Sequence, residues 1–551
     1  MKMRNQCRLK INLVKRWVVV LALVATATAQ AQVDEPVSST VYDYLYRMAQ
    51  KGLIRWQDAQ LPLDRRAITA AIETLSAAQN QLTKTEAREL AFYQQEYAFD
   101  SLDSLPQETL LFRKDEAGRW RAARFAGKEA RIMADPVIGL QGFKAGDKTA
   151  RYYFSGIRLA GYFGKHWGFN FFFHDNTEKG DTLPHNSSFS PLEGVVPTVQ
   201  SQRTLNYASF QYNIGYRWST GALSVGQESL SWGYGVGGNI ALSGRAPSFP
   251  FIKFDFQPWP WLRFNYFHGW LQSNIIDSAR TYNTGTGIYG DIRERYIPKF
   301  IAHHSVTVTP LPGLDLALGE SIVYSDQLNI AYLIPINFFK VYDQYNSRYN
   351  IRAGDNSQFF GLISSRNHLK KTHVYAQVFI DEIKASKIFN RRERRNQLGY
   401  TLGINRTDLL LSYLTAGLEY SRINPFVYNN LIPAQTYTSN TYSLGDWMGN
   451  NADRLYLFAQ YVPLPKLRLK LWHQTVRKGE NGTLYQQYFQ VPQPAFLSQK
   501  IFDYKELGFS ARYEILNRLL ASFEWNRVTT TAVNALPVTE KGVLLGISYG
   551  L

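Results

Sequence analysis

Along most of this chain apolar and polar residues take turns one for one. Leu467, Leu469 and Leu471 alternate with Lys466, Arg468 and Lys470. Val374, Ala376, Val378 and Ile380 alternate with His373, Tyr375, Gln377 and Asp381, and Leu314, Leu316 and Leu318 with Asp315, Ala317 and Gly319. A period of two belongs to strands whose two faces meet different surroundings. Those surroundings are core and water in a soluble sheet, or lipid and a polar lumen in a membrane barrel.

Connection lengths separate the two cases. Tight turns are expected near Gly164-Lys165, Ser219-Thr220-Gly221, Pro258-Trp259-Pro260, Leu311-Pro312-Gly313, His368-Leu369-Lys370, Arg406-Thr407, Pro463-Leu464-Pro465 and Leu516-Asn517. Between them fall longer connections at about 176–203, 231–248, 273–300, 324–356, 384–396, 422–451, 477–502 and 530–540. Short and long connections in strict alternation are the pattern of a membrane barrel, with periplasmic turns at one end and extracellular loops at the other. The prediction is a mainly β chain: a closed antiparallel transmembrane β-barrel of about eighteen strands. The first strand is expected at about 137–144 and the tenth at about 357–366. In the last, Gly542–Leu551, one face is Val543, Leu545, Ile547, Tyr549 and Leu551, like the signal that barrel proteins offer to the insertion machinery.

From about 38 to 100 the period is 3.6 instead. Thr40 and Asp43 have capping-box spacing before Val41, Tyr44, Leu45 and Met48, and Gly52 stands where that helix would stop. Pro62 is expected to open a second helix with Ala67, Ile68, Ala71, Ile72 and Leu75 on one stripe, and Thr83 and Glu86 to cap a third. The expected organisation is a signal peptide (1–31), a periplasmic helical bundle (32–110), a linker (111–136) and the barrel (137–551), with no plug domain legible before the first strand.

The basic start (Lys2, Arg4, Arg8, Lys10, Lys15, Arg16), the apolar run Trp17–Ala25 and the small residues up to Ala31 predict secretion and cleavage. Removing those six cations leaves 55 Lys and Arg against 44 Asp and Glu, a net charge of +11. Outside the cell such charge faces lipid phosphates or acidic glycans rather than nucleic acid. The single cysteine, Cys7, leaves with the signal, so disulfides and Cys chemistry are excluded from the mature chain. The polar faces of the strands put Arg158, Glu228, Asp381, Glu419, Arg454, Arg468, Lys470 and Glu524 in the lumen, where they either line water or pair across it. The nine histidines are scattered, and His303 and His304 point to opposite faces of one strand. Hence no catalytic set, metal site or cofactor is expected, with a barrel acyl hydrolase as the remaining enzymatic alternative.

The stretch Gly226-Gln227-Glu228-Ser229-Leu230-Ser231-Trp232-Gly233-Tyr234-Gly235, continuing through Ile240-Ala241-Leu242-Ser243 to Arg245-Ala246-Pro247, resembles the signature of the Wzi-like capsule assembly family, with Tyr234 in place of a proline. Tyr42-Asp43-Tyr44-Leu45 through Gly52-Leu53-Ile54, and Leu82–Glu86 through Tyr97, resemble the N-terminal region of Bacteroides-type members. The resemblance implies an eighteen-stranded outer-membrane barrel with a periplasmic bundle and a lectin-like role at the cell surface. Its partners would be capsular or surface polysaccharide and a polysaccharide export complex. Sugars stack on aromatic rings and need polar partners. That makes Trp232, Tyr234 and Arg245, and Tyr437, Tyr442 and Trp447, candidate polysaccharide contacts. The alternative is that such rings form the interfacial girdle. Arg391, Arg392, Arg394 and Arg395, at an expected extracellular hairpin, are candidates for gripping lipopolysaccharide phosphates. The rival function is a diffusion porin or solute transporter, for which eighteen strands give enough width.

Overall fold

The computed structural model describes residues 33–550 except 101–107, 116–117, 188, 288–289, 348–353, 384–395 and 517. The expected signal peptide, Cys7 and the Arg391–Arg395 cluster lie outside the described residues.

Eighteen antiparallel strands close into one barrel. They are β1 (Ala130–Ala145), β2 (Lys148–Phe163), β3 (Trp167–Gly180), β4 (Thr204–Trp218), β5 (Gly221–Glu228), β6 (Phe249–Trp259), β7 (Leu262–Ile276), β8 (Tyr296–Leu311) and β9 (Leu314–Ser325). The second half is β10 (Asn356–Arg366), β11 (Thr372–Ile383), β12 (Asn396–Arg406), β13 (Leu414–Ile423), β14 (Ala452–Leu464), β15 (Leu467–Gly479), β16 (Lys500–Leu516), β17 (Leu519–Ala532) and β18 (Val538–Tyr549). Closure is made by β18 on β1, from Gly542 opposite Ala145 to Tyr549 opposite Ile138. Hydrocarbon offers backbone groups no partner, so a strand pair that joins the ends removes the edges that an open sheet would expose. Even-numbered strands lead into turns of at most seven residues, while most odd-numbered ones lead into the long loops. One end of the barrel is therefore the turn end and the other the loop end. Residues of one parity, such as Leu318, Leu545 and Ile138, are exposed on the outer wall, and those of the other parity are buried inside.

The segment expected as a linker is not one. Glu108–Lys114 and Trp120–Ala126 form a hairpin whose second strand pairs with Arg131–Ala134, and β1 begins at Ala130, earlier than the expected 137. The polar alternation of residues 120–135 hid this, because Arg119, Arg121 and Asp135 point into an ion-paired interior and look in sequence like solvated linker. Arg119 meets Asp135 at 3.1 Å, and Arg121 bonds Asp115 at 2.7 Å.

The N-terminal helical segment holds α1 (Val41–Gln50), α2 (Arg65–Ala77) and α3 (Lys84–Tyr97). Their stripes share one core that includes Val41, Leu45, Met48, Ile68, Ile72, Leu75, Leu90 and Tyr97. Thr83 and Glu86 form the expected capping box, and Gly52, at φ +75°, ends α1 in the left-handed region open to glycine. Two details differ. Thr40 makes no cap bond and pairs instead with the Tyr93 hydroxyl at 3.1 Å. Helix α2 starts after Asp64, whose side chain accepts from the Arg66 N–H, and Pro62 stays outside it.

The bundle is also not a separate body. It seats in the turn end of the barrel, so the chain carries the plug that its sequence did not announce. Asp34 accepts from Lys253 of β6 at 2.7 Å and from Asn213 of β4 at 2.9 Å. Arg366 of β10 donates to the Trp56 carbonyl at 2.6 Å and to Asp58. Arg468 of β15 bonds the Tyr93 hydroxyl at 3.1 Å and lies 3.6 Å from Glu89. Glu35 sits among Arg65, Arg158 and Arg518, the last two at 3.7 and 3.6 Å. Burial alone would raise the Glu35 carboxyl, but the three guanidinium groups outweigh it and hold it at about 2, below its ordinary 4.5. A carboxylate depressed in this way lends its docking energy above pH 4.5 and loses it as pH falls towards 2.

The expected outcome on acidification is that protease cuts the helical segment of detergent-held protein increasingly between pH 4.5 and 2, while the barrel keeps its fast migration on gels. At pH 7, Arg65→Met leaves buried Asp100 without its guanidinium and takes from Glu35 the nearest of its three, a loss of about 3–5 kcal/mol. It should expose the same cleavage sites.

Candidate functional site

Two long loops do not stay outside the barrel. Residues 229–248, after β5, and 424–451, after β13, fold into the lumen, where the first meets the helical segment and the second packs on the first. Ser231–Trp232 pairs on one side with Leu242–Ser243 and on the other with Gln60–Leu61, a three-stranded sheet inside the barrel. Trp232 is buried with its ring edge-on to Phe360, centroids 4.6 Å apart.

The glycine-rich turn that follows is held by a buried ion network. Arg454 of β14 donates to both Asp446 oxygens at 2.9 Å and lies 3.4 Å from Glu419 of β13. Glu419 in turn accepts from the N–H groups of Val236 and Gly237 at 2.7 and 3.0 Å, and from the Tyr375 hydroxyl at 2.6 Å. A Cβ on Gly237 would come within 2.6 Å of the Arg454 guanidinium, which is why this loop approaches the wall through glycine. Trp447 closes the arrangement by donating from Nε1 to the Gly237 carbonyl at 2.9 Å.

The six candidate sugar contacts therefore converge, but as packing. Trp232, Tyr234, Arg245, Tyr437 and Trp447 are buried and Tyr442 is half-buried. Tyr437 donates to the Ala241 carbonyl at 2.8 Å and stacks on Tyr428 at 5.6 Å. Arg245 donates to the Ser190 carbonyl at 2.7 Å and lies 5.2 Å over the Tyr442 ring. An eighteen-stranded lumen is too wide for strand side chains to fill, and these rings belong to the core that fills it, with Tyr234, Arg245 and Trp447 also bordering the cavity left beside the bundle.

The lumen candidates lie on the inward parity of their strands. Arg158 reaches Glu35, and Glu228 accepts from Asn170 and Asn213, each at 3.0 Å. Asp381 accepts from the Tyr428 N–H at 2.7 Å, Arg468 binds the bundle, and Lys470 lies 5.7 Å over the Tyr456 ring. Glu524 faces inward between Ser510 and Leu544 of its neighbours. Of the two sequence readings, pairing holds for Arg158, Arg468, Glu419 and Arg454. Between the inward loop and the bundle remains a cavity of about 600 Å³, bordered by Tyr42, Asp43 and Arg47 on one side and Gly233–Gly238 on the other. Two serine–histidine contacts occur among the described residues: Ser365 to His368 at 3.1 Å, in an exposed turn, and Ser364 to His373 at 2.8 Å, where both are buried and the chain of bonds continues to Tyr46 rather than to a carboxylate.

Exposed rings lie elsewhere, in the loop between β15 and β16. The short helix α4 (Leu484–Tyr488) begins with a capping box of Thr483 and Gln486. It carries Tyr485 and, one residue past its end, Phe489, 68% and 69% exposed with centroids 5.9 Å apart. The signal was legible: Thr-x-x-Gln before an aromatic pair four residues apart puts both rings on one face.

The family described as "Capsule assembly protein Wzi" matches residues 199–535, more than half of the chain. The chain belongs to this family. A Wzi structure described as an outer membrane protein involved in group 1 capsule assembly in Escherichia coli, a carbohydrate-binding beta-barrel, aligns with 95% of this chain and 100% of its own. The TM-score is 0.57 and the identity 11%, a likeness of fold. Pseudomonas aeruginosa OprD (TM-score 0.40, 11% identity, 76% of this chain and 95% of that one) and OpdK with vanillate (0.42, 11%, 76% and 98%) are among the other solved structures it is similar to. No curated protein matches the sequence. Membership places this chain in the outer membrane as an integral Wzi-family barrel with a role in capsule assembly. Most of the Gly226–Pro247 stretch that carries the sequence resemblance lies in the loop 229–248, which enters the lumen.

Replacing Arg454 by Leu leaves Glu419 and Asp446 buried without a cation, a loss of about 3–5 kcal/mol. The inward loop should loosen, seen as higher planar-bilayer conductance than the parent protein and new proteolysis within 229–248.

Proposed function

We propose that this chain is a lectin-like protein of the outer membrane that holds or organises capsular polysaccharide at the cell surface, with its helical segment periplasmic and its long loops extracellular. The observation that carries the reading is the occupied lumen of a capsule-assembly barrel: the interior is taken up by packed rings, ion pairs and the helical segment, an arrangement suited to holding a ligand outside rather than conducting solutes. That same observation weighs against the porin alternative. A contact surface of the right chemistry is available at the loop end, where Tyr485 and Phe489 stand open beside Gln486 and Gln490, rings for sugar faces and amides for hydroxyls. A polysaccharide export complex and the barrel-insertion machinery are the proteins such a molecule would meet, the first in function and the second in biogenesis.

Deletion of the gene should shift capsule from the cell-bound to the shed fraction; unchanged retention would sink the capsule reading. The double variant Tyr485→Ala, Phe489→Ala should keep its barrel mobility. Each stacked ring contributes about 1 kcal/mol, so capsular polysaccharide binding should weaken by roughly tenfold or more. Full binding by that variant would remove these two rings from the site without touching the family role.

A further inference from the structure

On the outer wall, at the loop end of β1 to β4, the apolar surface gives way to cations that the barrel itself does not neutralise. Register fixes who stands beside whom. Leu545 of β18 faces Gly142 of β1, Gly142 faces Arg151 of β2, Arg151 faces Lys179 of β3, and Lys179 faces Thr204 of β4. All share the outward parity of the exposed Leu545 and Ile547. Lys144 stands in the next row towards the loops, opposite Val543 and Thr149. Arg203 follows at the start of β4, and Arg527 faces Lys541 on the adjoining β17–β18 pair. Like charges directly opposite one another on a sheet face repel, and here Arg151 opposes Lys179. Among the described residues Lys144, Arg151 and Lys179 have no ion pair or hydrogen bond from their side chains, while Arg203 pairs with Asp181 at 2.6 Å.

These residues surround a hollow of about 810 Å³ whose floor includes Gly142 and Gly180. It is continuous, through Gly142 and Leu545, with a second hollow of about 470 Å³ running towards the turn end. That one has a floor of small residues (Ala511, Ala521) between the walls of Leu140, Phe523 and Ile547. A cationic socket at the level where a barrel leaves hydrocarbon, opening onto an apolar trough within it, fits a molecule with an anionic head and a hydrocarbon tail.

We propose that this outer-wall site binds a phosphorylated lipid of the outer leaflet. Its phosphate sits among Lys144, Arg151 and Lys179, and one acyl chain lies along the Gly142–Ala521 trough. Guanidinium and ammonium groups give charge-assisted hydrogen bonds to phosphate oxygens. Basic pockets on the wall of a membrane protein are where lipid head groups are held. The site uses residues other than Arg391–Arg395, and its assignment rests on the extracellular placement of the long loops and on no polysaccharide reading.

The test uses the folded full-length barrel in detergent, native mass spectrometry and three probes: a bisphosphorylated hexa-acylated disaccharide lipid, the same lipid without phosphates, and inorganic phosphate. The parent protein should retain the phosphorylated lipid and not its dephosphorylated form. Arg151→Gln with Lys179→Gln should weaken retention at least tenfold, and Lys148→Gln, which removes only the neighbouring exposed pair with Glu540, should leave it unchanged. A Cβ at Gly142 meets no atom within 4 Å, so Gly142→Leu should fold, fill the trough and also lose the lipid. Gel mobility before and after heating confirms folding of each variant. Equal retention of the dephosphorylated lipid, variants that bind like the parent, or displacement of the lipid by micromolar inorganic phosphate would each overturn the proposal, the last by assigning the site to a free anion.

Discussion

Every other feature of this molecule depends on the hydrogen-bonded seam between the last strand and the first. Hydrocarbon supplies no donors or acceptors, so a sheet placed in it is stable only when its two edges satisfy each other. Once β18 closes on β1, each strand has one face in lipid and one in the lumen, and the choice of face is fixed for the whole chain because the side-chain period is two. A one-residue slip in any pair would send Arg158, Glu419 and Arg454 into the bilayer.

Closure creates the second problem, a lumen wider than strand side chains can fill. The chain solves it from both ends. From the turn end the helical segment presents Asp34, Glu35, Asp58 and Glu89 to Lys253, Arg158, Arg366 and Arg468 of the wall. From the loop end residues 229–248 and 424–451 enter with aromatic side chains and a glycine turn clamped by Glu419 and Arg454. The two halves share a backbone sheet at Trp232 and Leu61. Buried ion pairs of this kind contribute little net stability but penalise every wrong partner heavily, which suits an element that must seat in one orientation.

The outer wall shows the same logic inverted. Outward leucines and isoleucines meet lipid, and where they stop, cations begin. Inside, Lys253, Arg158, Arg366, Arg454 and Arg468 each have a carboxylate within reach, and Lys299 and Lys478 bond carbonyl oxygens; on the loop-end wall Lys144, Arg151 and Lys179 have no ion pair among the described residues, so their charge is directed to the surroundings.

Much of this was written in local pattern. The period of two, the alternation of short and long connections, the strand count, the inward parity of Arg158, Glu228, Asp381, Arg468 and Lys470, and three amphipathic helices all follow from residues within about ten positions of each other, because strand and helix periodicities are local. The resemblance carried by Gly226–Pro247 pointed to the family for the same reason. Tertiary structure alone decided what those pieces meet. Trp232, Tyr437 and Trp447 look alike as surface platforms or core until the loops that bear them are seen to turn inward. The linker over 111–136 reads as solvated until its arginines find Asp115 and Asp135. Whether the helices stand apart or enter the barrel turns on contacts such as Arg468 with Tyr93, 375 positions apart. Sequence determines which side of a strand a residue occupies; only the closed barrel brings together, across its lumen and along its wall, the groups that give that side its chemistry.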